Sequence, residues 1–449
     1  MTEPSETTST SAPPDPVALL RSRNYLVLVV LGAVVGVVVA AVAYFFLKGV
    51  GEAQHYIFTT LPTEAGYGTE PVWWPAPWLV LSGLLVALAI RYLPGTAGHK
   101  PAEGFKAGGP VPPIELPGIV IASFATLSLG VVLGPEAPLI AIGSGLGVLA
   151  MHLIKKDAPA QATVVVAAAG SFAAIATLFG SPLAGAFLLL EATALGGPLL
   201  GVVLVPGLLA AGIGALIFVG LDSWTGFGTF SLAIPNIPHF GSPTGAEFLW
   251  AIAIGLAGAV LGNGIRRLAL LLQAIVERRM VLLMPLVGLL IAGLAILFQE
   301  AADHSSSYVL FSGQDALPTL VEGAAGWTVG ALTLLIVCKG LAYSLSLSSF
   351  RGGPTFPGMF IGAAGGIALS HLPGLPAIAG VAMGIGAMTV AMLGLPFSSV
   401  LLVSLFLQAD AVALMPLVIV AVVVSYIASA HLTPPEKSTA AEAPAPAPT

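Results

Sequence analysis

One carboxylate, Glu136, stands inside Gly134-Pro-Glu-Ala-Pro-Leu-Ile-Ala-Ile-Gly143, a stretch otherwise made of apolar residues, glycine and proline. An ionisable side chain in sequence this apolar is costly to bury, and points to function. The stretch recurs. Residues 353–362 read Gly-Pro-Thr-Phe-Pro-Gly-Met-Phe-Ile-Gly, and both copies fit Gly-Pro-x-x-Pro-x-x-x-Ile-Gly, 219 positions apart. A second pair follows: Gly180-Ser-Pro182 and Gly394-Leu-Pro396 each lead into an apolar run, 214 positions apart. Two motifs repeated in one order at nearly one offset indicate a duplicated domain. Gly/Pro-interrupted apolar segments at matching places in two halves point to a transporter's binding site.

Each motif reads as the start of a broken helix. Proline fits the first helical turn, where its missing N–H is not needed, and glycine lets backbone approach a ligand closely. A helix beginning at membrane depth offers free N–H groups and a positive dipole end, which suit an anion. Irregular backbone there persists only if buried in protein or lining a wet cavity. A pair of proline-kinked packing helices would explain the prolines but not Glu136.

Other polar residues invite structural readings. Glu191, at a helix end, reads as structural or water-facing. Lys339, in an apolar run, reads as snorkelling or paired with a helix C-terminus. Gln408 and Asp410 read as the beginning of a helix, a cap and its neighbour. The single cysteine, Cys338, permits no intrachain disulfide and no cysteine metal site, and reads as a small core residue. The seven histidines form no His-Glu-x-x-His. Ser144 with His152 would suggest a hydrolase, but eight residues of one helix do not supply that pairing, and Ser144 reads as a packing residue. No enzyme activity and no cofactor are expected.

Composition sets the class. Of 449 residues, 57% are hydrophobic and 8% charged, with mean hydropathy +0.99, as in an all-α polytopic membrane protein. The 54 glycines and 36 prolines suit close-packed, interrupted membrane helices. The formal net charge of −6 says little about partners, and no basic stripe suggests nucleic acid.

Along the chain, residues 1–20 read as a disordered tail without the apolar core of a signal peptide. Arg21 and Arg23 precede a run, Tyr25 to Leu47, long enough to span a bilayer. Positive-inside logic puts the N-terminus in the cytoplasm. Residues 48–72 read as a polar outer loop, and Trp73, Trp74 and Trp78 as an interfacial belt. Arg91, Lys100 and Lys106 mark the return to the cytoplasmic side. Gly108-Gly-Pro-Val-Pro112 reads as another helix start. The first membrane repeat covers 21–220, a linker 221–245, and the second repeat 246–432, opening with a helix of about 246–279. Several later segments (about 280–298, 325–345, 357–370, 376–392, 396–407 and 411–430) include ones too short to span straight, so some are tilted, paired or re-entrant. Residues 433–449 read as a disordered tail, with no room for a further folded domain.

In order, these motifs resemble the CLC family of chloride channels and chloride/proton antiporters. Gly134-Pro-Glu-Ala-Pro138 looks like its Gly-Arg-Glu-Gly-Pro, Gly353-Pro-Thr-Phe-Pro357 like its Gly-x-Phe-x-Pro, and Gly108-Gly-Pro-Val-Pro112 like a worn Gly-Ser-Gly-Ile-Pro. Pro182 through Glu191 is similar to the family's dimer-interface helix, and Lys339-Gly-Leu-Ala-Tyr-Ser-Leu-Ser-Leu347 to the segment before its third motif. The likeness covers about residues 20–432. It implies two inverted-topology repeats of tilted and broken helices and a homodimer in the lipid bilayer, with a pore in each subunit. That bilayer would be the plasma membrane, with both termini cytoplasmic. It also implies that Glu136 is a gating glutamate, competing with chloride at an anion site drawn from Gly108, Gly109, Gly134, Ala137, Gly353, Thr355 and Phe356.

The sequence departs from the family at several donors. Gly109 stands where a pore serine is expected, and Pro135 and Ala137 flank the glutamate. Pro354 has no N–H to give, and Phe356 falls one place late. Tyr426 comes too early to be the family's pore tyrosine. Ala192 stands where antiporters tend to carry a second, proton-transferring glutamate, which leans toward channel-like or weakly proton-coupled anion transport. A different inverted-repeat secondary transporter, for an organic anion or a cation, is the alternative.

Overall fold

The computed structural model describes residues 20–107, 109–193, 198–226, 234, 240–408 and 411–433. These residues form helices joined by short turns. Eight helical stretches are long and apolar enough to cross a membrane.

α1 (Arg23–His55) runs on through a π-helical turn (Tyr56–Thr60) into the short α2 (Leu61–Glu64), and α3 (Pro75–Tyr92) returns. The expected polar loop over 48–72 is therefore helical as far as Glu64. Its polar residues have inward work: Gln54 donates from Nε2 to the Leu127 carbonyl at 2.7 Å, meeting one of the free acceptors that every helix C-terminus leaves. The tryptophans divide. Trp73 is exposed, whereas Trp74 is buried and donates to the Ile57 carbonyl at 2.9 Å.

The centre is built from two similar pairs of helices. α4 (Leu116–Ser128) leads to an irregular stretch and then α5 (Glu136–Ile154), which packs on α6 (Ala160–Phe179). After α7 (Pro182–Thr193), α8 (Pro198–Thr225), α9 (Gly245–Val276), α10 (Met280–Ala302), α11 (Ala316–Glu322) and α12 (Val329–Ser349) comes α13 (Thr355–Leu369). It packs on α14 (Ala377–Leu393), and α15 (Pro396–Leu407) and α16 (Ala411–Leu432) follow. Within each pair, backbones touch where glycines face each other. A Cβ on Gly143 or Gly170 would overlap the other's carbonyl, and the same holds for Gly362 with Gly384 and Gly366 with Gly380. Small residues at such crossings let helices approach closely without lipid-excluding side chains between them.

The second motif pair explains how both units end. Gly180 (φ 61°) and Gly394 (φ 71°) take the left-handed conformation that closes α6 and α14, a conformation glycine adopts without strain. Pro182 and Pro396 then open α7 and α15.

The structure departs from the sequence at further points. α8 continues to Thr225, past residue 220, and the Thr225 and Tyr44 hydroxyls lie 2.9 Å apart. Gly109–Pro112 is not helical, and α4 starts only after a 3₁₀ turn at Pro113–Glu115, since successive prolines withhold backbone donors. α11 was not foreseen from the sequence. Gln408 closes α15 with φ 45° rather than opening a helix, and Asp410 lies outside the described residues.

Candidate functional site

The two Gly-Pro motifs meet. Gly134 N–H donates to Gly353 O at 2.8 Å and Gly353 N–H to Gly134 O at 2.6 Å, a single antiparallel bridge. A Cβ on either residue would overlap the Glu136 carboxylate and displace it from its seat. Pro135 and Pro354 follow, and helices begin at Glu136 and Thr355. The N-termini of α5 and α13 therefore lie together beside the bridge.

Glu136 is fully buried at this junction. Its Oε1 accepts the Phe356 N–H at 3.1 Å. The carboxylate therefore sits on the first turn of the opposite helix, where free N–H groups favour negative charge. Pro354 offers no N–H, and Phe356 is the donor instead. Glu136 Oε2 and Thr355 Oγ1 are buried without hydrogen-bond partners, so polar capacity remains for a further ligand. Tyr343, buried on α12, donates to the Pro354 carbonyl at 2.6 Å and the Phe356 ring packs on Phe179. Tyr343 escaped the sequence reading, which looked for a tyrosine only near the last helix.

Two cavities flank the bridge. One of about 270 Å³ reaches from Lys106 and Gly109 to Ala137 and Gly352, beside the first half of α4. The other, of about 580 Å³, lies at the far end of α4, between Gln54, Glu70 and the 305–319 segment. Its floor rests close to the junction: Phe311 N–H donates to Gly130 O at 3.2 Å, and Gly313 abuts Phe360 of α13. Thus Gly134, Glu136, Gly353, Thr355 and Phe356 come together. Gly109 and Ala137 line the smaller cavity, and Gly108 lies outside the described residues.

A family model described as "Voltage gated chloride channel" matches residues 82–430. The chain belongs to this family. Among curated relatives, the "Putative ion-transport protein YfeO" of Escherichia coli (strain SMS-3-5 / SECEC) is 30% identical over 366 residues, covering 80% of this chain and 82% of the relative. The protein of that name from Escherichia fergusonii is equally similar. Two solved structures share the fold. A slow cyanobacterial Cl−/H+ antiporter has a TM-score of 0.72 at 19% identity, covering 90% of this chain and 94% of that one. A CLC-type fluoride/proton antiporter has 0.67 at 20% identity, covering 90% and 95%.

In this voltage-gated chloride channel family member, the remaining candidate residues have structural partners. Glu191, at the end of α7, accepts the N–H groups of Phe397 (2.9 Å) and Ser398 (2.7 Å) and the Ser398 hydroxyl (2.6 Å). It caps α15 across the two halves. Fully buried Lys339 donates from Nζ to the carbonyls of Tyr308, Val309, Leu310 and Phe311 at 3.0–3.4 Å and lies over the Phe360 ring. Ser144 accepts the Val111 N–H at 3.1 Å and donates to Gly109 O at 3.3 Å. It pins the loop that stands where the pore serine was expected, while His152 is exposed. Cys338 is free and buried.

Proposed function

We propose that Glu136 is the gate of an anion pathway running between the two cavities. Family membership makes the protein a membrane anion transporter of channel or antiporter type. What supports the gate is one observation: at the Gly134–Gly353 junction a fully buried carboxylate is seated on the N-terminus of the opposing helix. A chloride-sized anion and a carboxylate compete for such donors, and protonation removes the competitor. Glu136 with Gly134, Ala137, Gly353, Thr355 and Phe356 would form the central site, and Gly109 its approach.

The two halves, 21–220 and 246–432, act as inverted repeats in this reading, supported by the matching pairs α5/α6 and α13/α14. The lysine- and arginine-bearing end, where Lys100 pairs with Glu277 at 2.6 Å, would face the cytoplasm, with both termini there and the protein in the plasma membrane as a homodimer. Ala192 in place of a second proton-carrying glutamate favours channel-like or weakly coupled transport. The solved relatives move chloride or fluoride with protons, which makes both halides substrates to test.

Liposomes holding purified protein under a chloride gradient, with anion flux and internal pH recorded together, test this. Replacing Glu136 by glutamine removes a helix-end interaction of about 1–2 kcal/mol, so flux at neutral pH should rise about tenfold and lose most of its pH dependence. Full pH dependence in Glu136→Gln would sink the gate assignment. Proton movement driven uphill by chloride would establish an exchanger.

A further inference from the structure

The smaller cavity holds a charge that the gate does not use. Arg351 lies two residues before Gly353 and is buried, 6% exposed. Its Nε donates to Thr96 O at 3.0 Å and its Nη1 to Phe350 O at 3.2 Å. Both acceptors are neutral carbonyls. Among the described residues no carboxylate lies within ion-pair distance of the guanidinium. Glu103 and Glu277, whose charges act on it through space, are both paired with Lys100, at 4.0 and 2.6 Å. Glu115 lines the same cavity, but its carboxylate is folded against Gly95. His99, on the same wall, is turned to the Gly104 carbonyl at 2.9 Å, and burial lowers its basicity.

A buried cation without a counter-ion is expensive unless something of opposite charge approaches it. The cavity it lines has room for such a group. At about 270 Å³, against a water's liquid share of about 30 Å³, it accommodates a small anion with attendant waters. Lys106 brings a second cation to the cavity wall, and Thr96, Ser123 and Ser144 bring hydroxyl donors. The shape of the group narrows the ligand. Guanidinium is planar, and an end formed by Nη1 and Nη2 matches two oxygens held about 2.2 Å apart in one plane, as in carboxylate-type groups. A halide meets both N–H groups of that fork through one atom, whereas a planar oxoanion gives each its own oxygen.

We propose that Arg351 makes the floor of this cavity a binding site for a small planar oxoanion, of the nitrate or bicarbonate kind, in preference to a halide. This rests on the anion pathway proposed above, but not on Glu136 being its gate.

The test compares nitrate and chloride on purified full-length protein, by titration calorimetry in detergent and by flux in liposomes. The wild-type protein should bind nitrate about tenfold more tightly than chloride. Arg351→Lys keeps the charge and loses the fork. It should bring nitrate affinity down to the chloride value while chloride affinity stays within about twofold. Equal affinity for the two anions in the wild type, or an unchanged ratio in Arg351→Lys, would overturn the proposal. If Arg351→Lys does not fold, crystals of the wild-type protein grown in nitrate decide: density for a planar anion on Nη1 and Nη2 supports the site, and its absence there refutes it. The gate is read separately, since its test is the size and pH dependence of flux in Glu136→Gln, whereas the test of this site is the nitrate-to-chloride binding ratio in the wild type and Arg351→Lys.

Discussion

At the scale of single residues, two glutamates of one chain show how partners decide a role. Glu191 has three donors on its two oxygens and satisfies the start of α15 as a capping carboxylate does. Glu136 has one oxygen on Phe356 N–H and the other buried without a partner. The first arrangement is complete, and the second leaves room for exchange. Replacing Glu191 by alanine should therefore cost about 1–2 kcal/mol of stability, read as a lower melting temperature, with the pH dependence of anion flux unchanged. Altered pH dependence in that variant would make Glu191 a proton carrier instead. Lys339 is complete in the same sense: its ammonium gathers carbonyls of the 308–311 turn, which would otherwise be buried acceptors without donors.

Among the elements, the crossings α5/α6 and α13/α14 hold the N-termini of α5 and α13 in register. Their closeness depends on glycine. A Cβ on Gly170 would meet the Gly143 carbonyl, whereas one on Gly264 of α9 meets nothing within 4 Å. Gly170→Ala should lose about 3 kcal/mol or more, because the obstacle is backbone and cannot rotate away. Gly264→Ala, freed from any clash, should be neutral or stabilise by up to about 1 kcal/mol through helix propensity. Thermal melts in one detergent compare the two. Equal effects would mean that the α5/α6 contact is looser than its geometry.

The molecule as a whole has a charge difference between its two cavities. Arg351 and Lys106 line one with a single carboxylate, Glu115, and Glu70 and Asp315 line the other. Burial raises the Glu70 carboxyl to about 7. Burial also raises Asp315, with the Lys48 charge opposing. A carboxyl whose folded-state pKa exceeds its unfolded value binds its proton more tightly when folded. Its contribution to stability is thus fully present below about pH 4.5 and falls as pH rises toward 7, after which it levels. The fall is at most about 3 kcal/mol, and water entering the cavity reduces it. Glu70→Gln should flatten the stability curve between about pH 5 and 7, as measured by chemical unfolding across that range. A curve of unchanged slope would show that Glu70 is better solvated than its buried Oε1 implies.

The sequence by itself determined the class and the places where the helices break. Apolar runs of spanning length admit few states other than membrane helices, because backbone polar groups in lipid must pair within the segment. Gly-Pro pairs in such runs must interrupt them, so Gly134, Gly353, Gly180 and Gly394 could be read as helix boundaries from residue type alone. Glu136 stood out for the same reason, a charge with no solvent to hold it. What tertiary structure decided were the partners. That Gly134 and Gly353 bond to each other across 219 positions, and that Phe356 rather than residue 354 donates to Glu136, depends on two helices meeting end to end. Local spacing carries no record of such a meeting. Arg351 and Tyr343 were passed over because neither breaks a pattern. Only the meeting of the turn between α12 and α13 with the loop at Thr96 turns an ordinary arginine into a buried charge facing a cavity.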